Sequence, residues 1–303
     1  MKAKHLLIAS VAGLLLGGLG TAASRADILY VSNNGSDSIA KFASDGVGSV
    51  FANTGLSRPS GLAFDSTGNL YAANNLGGTI VKFTSGGGGS VFASGLASSS
   101  GLAFDSAGSL YAADVVFNRI VKLTGGVGAV FASTGLNQPY GMAFDSTGNL
   151  FAANSGNSTI EKFASGGVAS VFASTGLSGP VGTAFDSAGN LYVANVSNNT
   201  IQKFTSGGVR SVFASTGLNQ PSGLAFDSEG SLYVANYGSN TIVKFTSGGV
   251  GSVFATTGLN RPQFLAFTDD VGVPLRLANQ VPEPASAVLL LGGAALLGLR
   301  RRR

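Results

Sequence analysis

Few residues of this chain could do chemistry, and most of them are carboxylates. The only histidine among the 303 residues is His5, and cysteine is absent. Residues 27–280 therefore cannot supply a Ser-His-Asp triad, a cysteine nucleophile or a histidine-based metal site. One aspartate recurs at a single place in a repeated phrase: Asp65, Asp105, Asp145, Asp186 and Asp227. This recurrence favours capping of a turn over an active site.

The remaining carboxylates do not form a recognisable site. Glu161 and Glu229 stand alone in the sequence and are interpreted as surface residues. Asp269 and Asp270 form an acidic pair that could bind a cation weakly, but two adjacent carboxylates make a poor ligand set for a hard cation. We predict no catalytic residue, no metal site and no cofactor.

A repeat of about 40 residues positions these side chains. The unit at residues 61–100 is copied along the chain, and glycine opens the same phrase each time: Gly61, Gly101, Gly141, Gly182 and Gly223. Self-similarity at this period indicates a repeat architecture. Each unit holds four short apolar runs, which in the first unit are 62–64, 70–73, 80–83 and 91–93. Runs of this length between turn residues predict four antiparallel strands, the content of one β-propeller blade.

The repeat count predicts six blades and a particular closure. Second-strand phrases begin at Leu29, Leu70, Leu110, Leu150, Leu191 and Leu232. First-strand phrases begin at the five glycines and, with Phe in place of Gly, at Phe264. Residues 264–267 should therefore complete the blade that residues 28–52 open. We predict an all-β fold, a six-bladed propeller of four-stranded antiparallel blades, with helices only in the two terminal segments.

Aromatic residues recur in register and predict the packing between neighbouring blades. The first strands carry Phe64, Phe104, Phe144, Phe185, Phe226 and Phe267. The second strands carry Tyr71, Tyr111, Phe151, Tyr192 and Tyr233, and the fourth strands carry Phe51, Phe92, Phe131, Phe172, Phe213 and Phe254. Burying a side chain of this size contributes roughly 1.5 to 3 kcal/mol, so we expect these rings to carry the fold rather than stack on a ligand.

The N-terminal segment, residues 1–26, is typical of a secretory signal peptide. Lys2 and Lys4 precede an apolar stretch at 6–19, and Ser24-Arg25-Ala26 fits a small-x-small cleavage site. We expect the Sec machinery to export the chain and the segment to be removed. An uncleaved membrane anchor is the alternative, and the apolar stretch is short for one.

The net charge excludes nucleic acid as a partner. The whole chain carries a formal charge of +4, but residues 27–280 contain six Lys and five Arg against eleven Asp and two Glu, a net charge of −2. The positive excess therefore lies in the terminal segments. No basic stripe is left that could follow a phosphate backbone.

Departures from the repeat on one face of the propeller are the best pointers to a ligand site. The loops that join a fourth strand to the next first strand share a face with the loops that join second to third strands. An exposed aromatic beside arginine and amides suits a sugar or a peptide, although drift among repeats would give the same pattern. The candidate residues are Arg58, Asp114, Phe117, Arg119, Gln138, Tyr140, Gln220, Tyr237, Arg261 and Gln263.

The repeated phrases resemble a known family. PSGLAFDSTGNLYAAN followed by TIVKF, and GLAFDSAGSLYAADVVFNRIVKL in the next unit, are similar to NHL repeats, six of which form a propeller. The resemblance covers nearly all of residues 27–267. Propellers of this type include binding modules, extracellular sensors and a few enzymes, so the resemblance implies one of these roles. Related gluconolactonase-like propellers hold a metal with acidic and amide residues, and streptogramin-lyase-like propellers use a histidine.

Beyond Asn279 the composition changes abruptly. Pro282-Glu283-Pro284 precedes an apolar segment at 285–299 and a basic end, Arg300, Arg301, Arg302 and Arg303. This order resembles a PEP-CTERM sorting signal. The resemblance implies an exosortase that processes the signal, a Gram-negative bacterium, and a final position at the outer surface or in the extracellular matrix, often with exopolysaccharide. A simple tail anchor is the alternative.

The sequence thus predicts three parts: a signal peptide at 1–26, a propeller at 27–280 and a sorting signal at 281–303. We expect an exported, non-catalytic binding or scaffold module for a glycan or an envelope protein. The alternative is an extracytoplasmic gluconolactonase-like hydrolase or lyase that uses Asp and Asn side chains in the central channel.

Overall fold

Every regular element of the described chain is a β-strand. The computed structural model describes residues 26–270 and 272–275. Within these residues, 24 strands form six sheets of four, and no helix is long and apolar enough to cross a bilayer. The first strand of each sheet packs against that of the next sheet, around a ring. The predicted six-bladed propeller is confirmed. Residues 1–25, 271 and 276–303 lie outside the described residues, and with them nearly all of both predicted signals.

The strand bounds follow the repeat, and each sheet is one blade. Blade 1 opens with β1 (Asp27–Asn33), β2 (Ser38–Phe42) and β3 (Gly48–Ala52). Blade 2 holds β4 (Pro59–Phe64), β5 (Leu70–Asn74), β6 (Thr79–Phe83) and β7 (Gly89–Ala93), and blade 3 holds β8 (Ser99–Phe104), β9 (Leu110–Asp114), β10 (Arg119–Thr124) and β11 (Val127–Ala132). Blade 4 holds β12 (Pro139–Phe144), β13 (Leu150–Asn154), β14 (Thr159–Phe163) and β15 (Ala169–Ala173). Blade 5 holds β16 (Pro180–Phe185), β17 (Leu191–Asn195), β18 (Thr200–Phe204) and β19 (Arg210–Ala214). Blade 6 holds β20 (Pro221–Phe226), β21 (Leu232–Asn236), β22 (Thr241–Phe245) and β23 (Gly251–Ala255), and β24 (Pro262–Asp269) returns to blade 1.

The two ends of the propeller pair with each other, as the sequence predicts. Blade 1 has the strand order β24-β1-β2-β3, so its inner strand comes from the C-terminal end of the fold. β24 runs antiparallel to β1, and the register places Leu29 opposite Phe267 and Val31 opposite Leu265. This pairing covers the strand edges that an open ring would leave exposed.

Glycine is the third residue of five of the six inner strands because their backbones approach each other closely around the axis. A Cβ on Gly61 would collide with the carbonyl oxygen of Ser100, and one on Gly101 would collide with that of Tyr140. Gly141, Gly182 and Gly223 meet the carbonyl of the next inner strand in the same way. The glycine of the repeated phrase is therefore a packing requirement of the ring.

The recurring rings lie between blades, which confirms the predicted core. Tyr71 of blade 2 packs edge-on against Phe92 of its own blade, with centroids 4.9 Å apart, and against Phe104 of blade 3 at 5.1 Å. The same triad recurs around the ring. Edge-to-face pairs at these distances add to the stabilisation from apolar burial.

The repeated aspartate caps the turn between the first and second strands. Asp65 Oδ1 accepts hydrogen bonds from the backbone nitrogens of Thr67 at 3.0 Å and Asn69 at 2.9 Å. Burial acts to raise the pKa of Asp65, but the hydrogen bonds from Asn69 and Thr67 outweigh it and lower the pKa to about 2. Lys82 reaches the other carboxylate oxygen at 3.5 Å and lies over the ring of Tyr71. The capping interpretation is confirmed.

Glu161 is buried, so its interpretation as a surface residue is wrong. Only 4% of the residue is exposed. The pairing of β14 with β15 shifts register between Ile160 and Glu161, and both residues are buried. Both faces of the blade are packed: Ile160 lies in the cluster shared with blade 5, and Phe163, two residues from Glu161 on the same face, lies in the cluster shared with blade 3. Burial raises the pKa of its carboxyl group. Glu229 does lie at the surface, with 74% of its side chain exposed.

The acidic pair after β24 does not share one role. Asp269 takes the turn position that Asp65 has in blade 2, because its Oδ1 accepts the backbone N–H of Val273 at 2.7 Å. Asp270 is exposed. Among the residues that the structure describes, no group of three or more His, Cys, Asp or Glu side chains is placed to hold a metal ion.

The ring has two faces that carry different sets of loops. The loop face carries the loops that enter each blade and those that join second to third strands. The turn face carries the aspartate turns and the turns between third and fourth strands. β1 begins at Asp27 and β24 ends at Asp269, and these two residues pair. The chain therefore enters and leaves the propeller on the turn face.

Candidate ligand-binding face

A buried asparagine at the end of the second strand fixes each entry loop of the loop face. Asn74 Oδ1 accepts the backbone N–H of Ser57 at 2.9 Å, while its Nδ2 donates to the Gly55 carbonyl and the Thr79 hydroxyl, both at 3.0 Å. Four asparagines bind their entry loops in the same way: Asn33, Asn154, Asn195 and Asn236. The loops that carry the candidate residues are thus held by side-chain hydrogen bonds.

Four of the candidate residues occupy one repeated position just before an inner strand. Arg58 has a φ of 47°, and its N–H donates to Asp37 Oδ1 of the preceding blade at 2.6 Å. Gln138, Gln220 and Arg261 have the same left-handed backbone and bind Asn118, Asn199 and Asn240. All four residues are exposed. Their side chains therefore start from a backbone that the neighbouring blade holds in place.

Asp114 takes the asparagine position in blade 3, and its role there is to hold Arg119. The Asp114 residue is fully buried, and its carboxylate accepts the backbone N–H groups of Ala97 at 3.3 Å and Ser98 at 3.4 Å. Arg119 donates to Asp114 Oδ2 through Nε and Nη2, each at 3.0 Å. The guanidinium then lies 4.8 Å from the ring centroid of Phe117, which is 59% exposed. Asp114 thus positions an arginine–aromatic pair at the surface.

A second group of candidates lies across the ring. The Arg261 guanidinium carbon lies 5.9 Å from the ring centroid of Tyr237. Gln263 Oε1 accepts a hydrogen bond from Asn34 Nδ2 at 3.0 Å. Tyr140 is partly buried near the axis. Burial raises the pKa of Tyr140, and the nearby Tyr237 hydroxyl raises it further. Tyr140 therefore lies near the Tyr237–Arg261 pair. Two residues before Tyr140, the backbone N–H of Gln138 donates to Asn118 Oδ1, which connects this entry loop to the loop that carries Phe117.

Sequence reasoning did not anticipate the large cavity on the turn face. It measures about 700 Å³ and is lined by the ends of all six inner strands, which contribute Ala63, Ala103, Ala143, Ala184, Ala225 and Ala266 with the phenylalanines that follow them. Pro274 and Leu275 also line it. The repeated Ala-Phe pair was the available signal. The lining also includes Asp65, Asp105 and Asp145. Each of these carboxylates accepts backbone N–H groups of its own turn, so they are engaged as turn caps.

Comparison with known families agrees with the repeat and with the C-terminal motif. The NHL repeat matches residues 177–204 and 218–245, each of which runs from an entry loop through the third strand of a blade. The PEP-CTERM protein-sorting motif matches residues 280–303. The chain thus carries NHL repeats on a six-bladed propeller and a PEP-CTERM sorting motif at its C-terminus. The motif marks the propeller as an exported, envelope-associated protein that an exosortase processes.

Solved structures with the same fold include binding proteins and enzymes. A structure of a nidogen/laminin complex shares 21% identity with the NHL propeller, with a TM-score of 0.72 over 80% of this chain and 98% of that one. A streptogramin B lyase shares 17% identity, with a TM-score of 0.63 over 82% and 96%. A gluconolactonase from Xanthomonas campestris shares 18% identity, with a TM-score of 0.60 over 70% and 82%. Among curated proteins, none matches this sequence. At these identities the likeness concerns the fold alone.

Proposed function

We propose that this protein is a non-catalytic binding module of the cell envelope whose loop face binds an extended anionic glycan. The observation that carries the proposal is the presence of two arginine–aromatic pairs on that face, Phe117 with Arg119 and Tyr237 with Arg261. Aromatic rings pack against the apolar faces of sugars, and a guanidinium binds a carboxylate through two parallel hydrogen bonds.

The geometry of the first pair supports recognition of an acidic group. Asp114 occupies only the Nε and Nη2 sides of the Arg119 guanidinium, so part of the donor fork is left for a ligand. Because Asp114 is buried and bound by its loop, Arg119 loses little freedom on binding. Preorganisation of this kind raises affinity by lowering the entropic cost.

The position of the sorting motif leaves the loop face accessible. The chain reaches Leu275 on the turn face, and Pro282 follows it closely. An extended segment between them spans at most about 25 Å. While the tail is held at the membrane, the turn face is therefore the nearer one and the loop face points away. This orientation suits a matrix polysaccharide of the outer surface of a Gram-negative cell.

Two further points favour binding over catalysis. Residues 27–280 contain no His or Cys, so the histidine chemistry of the lyase-like propellers has no counterpart there. The nidogen/laminin structure shows the same fold in a protein–protein complex. Both points leave binding as the role that the loop face supports best.

A glycan array tests the proposal. We expect the protein to bind acidic oligosaccharides, and Phe117→Ala and Tyr140→Ala each to weaken binding by roughly tenfold, because each removes an aromatic surface worth about 1 to 2 kcal/mol. Val171→Ala, an exposed change on an outer strand, serves as the control and should bind normally. Unaltered binding by both aromatic variants, or no binding to any glycan, would contradict the proposal.

Processing at the sorting motif has its own test. Replacement of Glu283 by Ala should leave export intact and block removal of the tail, since Glu283 is the central residue of the Pro-Glu-Pro motif. Mass spectrometry of the exported protein measures the C-terminus. Glu229→Ala, which changes an exposed glutamate of the propeller, should be processed normally. A normally processed Glu283 variant would refute the role of this motif.

A further inference from the structure

Blade 6 has a groove at its periphery, between its entry loop and its two outer strands. In blade 6 this groove is an open cavity of about 270 Å³. Gly217 and Leu218 of the entry loop form one wall, and Val243 and Gly251 of the outer strands form the other. None of the candidate ligand residues of the loop face lines this cavity. Because the blades are copies, the same positions can be compared in blades 4 and 5.

In blade 5 the chain fills this groove with its own guanidinium. Gln202 stands at the position of Val243, and Arg210 stands at the position of Gly251. Arg210 Nη1 donates to Gln202 Oε1 at 3.3 Å. The arginine side chain lies against the entry-loop glycine, since a Cβ on Gly176 would meet its Cδ, Nε and Nη1 atoms. The groove thus has the size and place to hold an arginine side chain.

In blade 4 the groove has an acceptor but no cation. Glu161 stands at the position of Gln202, and Ala169 stands at the position of Arg210. A Cβ built on Gly135 would lie 3.2 Å from Glu161 Oε2 and 3.2 Å from the Ala169 Cβ. The carboxylate therefore lies against the glycine of its entry loop, as the Arg210 side chain does in blade 5. Burial is the one effect that moves the pKa of Glu161, and no described side chain donates to it.

This carboxylate is buried without a partner, which is costly. Removing an unpaired charge from water is unfavourable, and buried charges are normally paired. Three other blades have valine at this position: Val81, Val121 and Val243. The Glu161 oxygens differ from the Ser60 and Ser99 hydroxyls, which are sealed from solvent without a partner. The Glu161 oxygens thus keep some contact with solvent.

We propose that the blade 4 groove binds a guanidinium or ammonium group, supplied by another molecule, against the carboxylate of Glu161. The carboxylate of Glu161 pairs with the cation, and the small Ala169 side chain leaves room for its aliphatic stem. The groove is bordered by β15, the outer strand of its blade. An arginine or lysine on an extended partner segment and a free amine share this chemistry.

Calorimetric titration of the full-length protein in mild detergent tests the proposal with two probes. Agmatine carries a free guanidinium, and the capped peptide Val-Arg-Ser-Val repeats residues 209–212 of this chain. We expect at least one probe to bind, and Glu161→Gln to weaken binding by roughly tenfold or more, because it removes the buried partner of the cation. Ala169→Arg should weaken binding to a similar extent by filling the groove from within, and should raise the melting temperature.

Controls separate the groove from general electrostatics and from the two sources of the cation. Glu229→Gln removes an exposed negative charge and should leave binding unchanged. A peptide that binds much more tightly than agmatine assigns the site to a partner protein, and comparable binding assigns it to a free amine. Failure of both probes to bind, or equal binding by the native protein and Glu161→Gln, would overturn the proposal. Neither result bears on glycan binding at the loop face.

Discussion

Replacement of Tyr71 by alanine is expected to lower the free energy of unfolding by about 3 to 5 kcal/mol, the range for large aromatic truncations in a core. Tyr71 is 4% exposed and packs edge-on against one ring of its own blade and one of the next, Phe92 and Phe104. Its hydroxyl also donates to Asp65 at 3.2 Å. The substitution therefore opens a cavity between blades 2 and 3. Urea unfolding followed by circular dichroism measures the loss.

Two matched variants identify the source of this effect. Tyr71→Phe should cost no more than about 1.5 kcal/mol, because the ring stays and only a hydrogen bond is lost; blade 4 uses Phe151 at the same place. Phe117→Ala truncates an exposed ring and should change stability by no more than about 0.5 kcal/mol. If Tyr71→Ala cost as little as Phe117→Ala, the aromatic residues would not be the packing between blades.

The fold could be predicted because the same sequence pattern recurs along the chain. A glycine recurs in five of the six inner strands, and an aspartate caps the turn that follows each of them. Because both recur at nearly constant spacing, the prediction does not depend on chance similarity within a single repeat. Closure followed from counting, since the chain begins on a second strand at Leu29 and ends on a first strand at Phe267, and the structure pairs these residues. The bounds were less accurate. β4 begins at Pro59, ahead of the apolar run at Leu62.

Glu161 shows what could not be predicted. Its environment depends on the neighbouring blades that pack on both faces of β14 and on the entry loop that folds back at Gly135. Neither feature is local to the TIEKF phrase, and alternation along a strand would place Glu161 at the surface. Only the three-dimensional arrangement shows that two successive residues of this strand are buried.

The candidate site was partly predictable for a similar reason. Comparison among the repeats isolates Asp114 as an aspartate among asparagines, and Arg119 is a candidate from the same loop. Only the structure shows that the two side chains are hydrogen-bonded and that Asp114 also binds the entry loop at Ala97. The turn-face cavity was missed because Phe104 and its counterparts were assigned to packing between blades. They do pack there, and they also line the channel. That the loop-face residues bind a ligand remains a prediction.

The central claim is that the two ends of one polypeptide close the ring, and a disulfide between β1 and β24 tests it most directly. Ile28 pairs with Thr268 in the register of these strands, and the chain has no cysteine of its own. The Cα atoms of antiparallel partners lie about 4.5 to 5.5 Å apart, within the range that a disulfide spans. Oxidation of the double variant Ile28→Cys/Thr268→Cys should give an intramolecular cross-link that encloses nearly the whole propeller.

The cross-link should raise the free energy of unfolding by up to about 5 kcal/mol, because it restricts a very long loop in the unfolded chain. The control Ile28→Cys/Ser106→Cys places the second thiol on another blade and should not cross-link within the native molecule. Non-reducing electrophoresis and urea unfolding, each with and without reductant, measure both effects. Rapid cross-linking of the 28/268 pair within one chain is the result predicted here. Cross-links that form only between molecules, or equally with the control pair, would contradict the closed six-bladed ring.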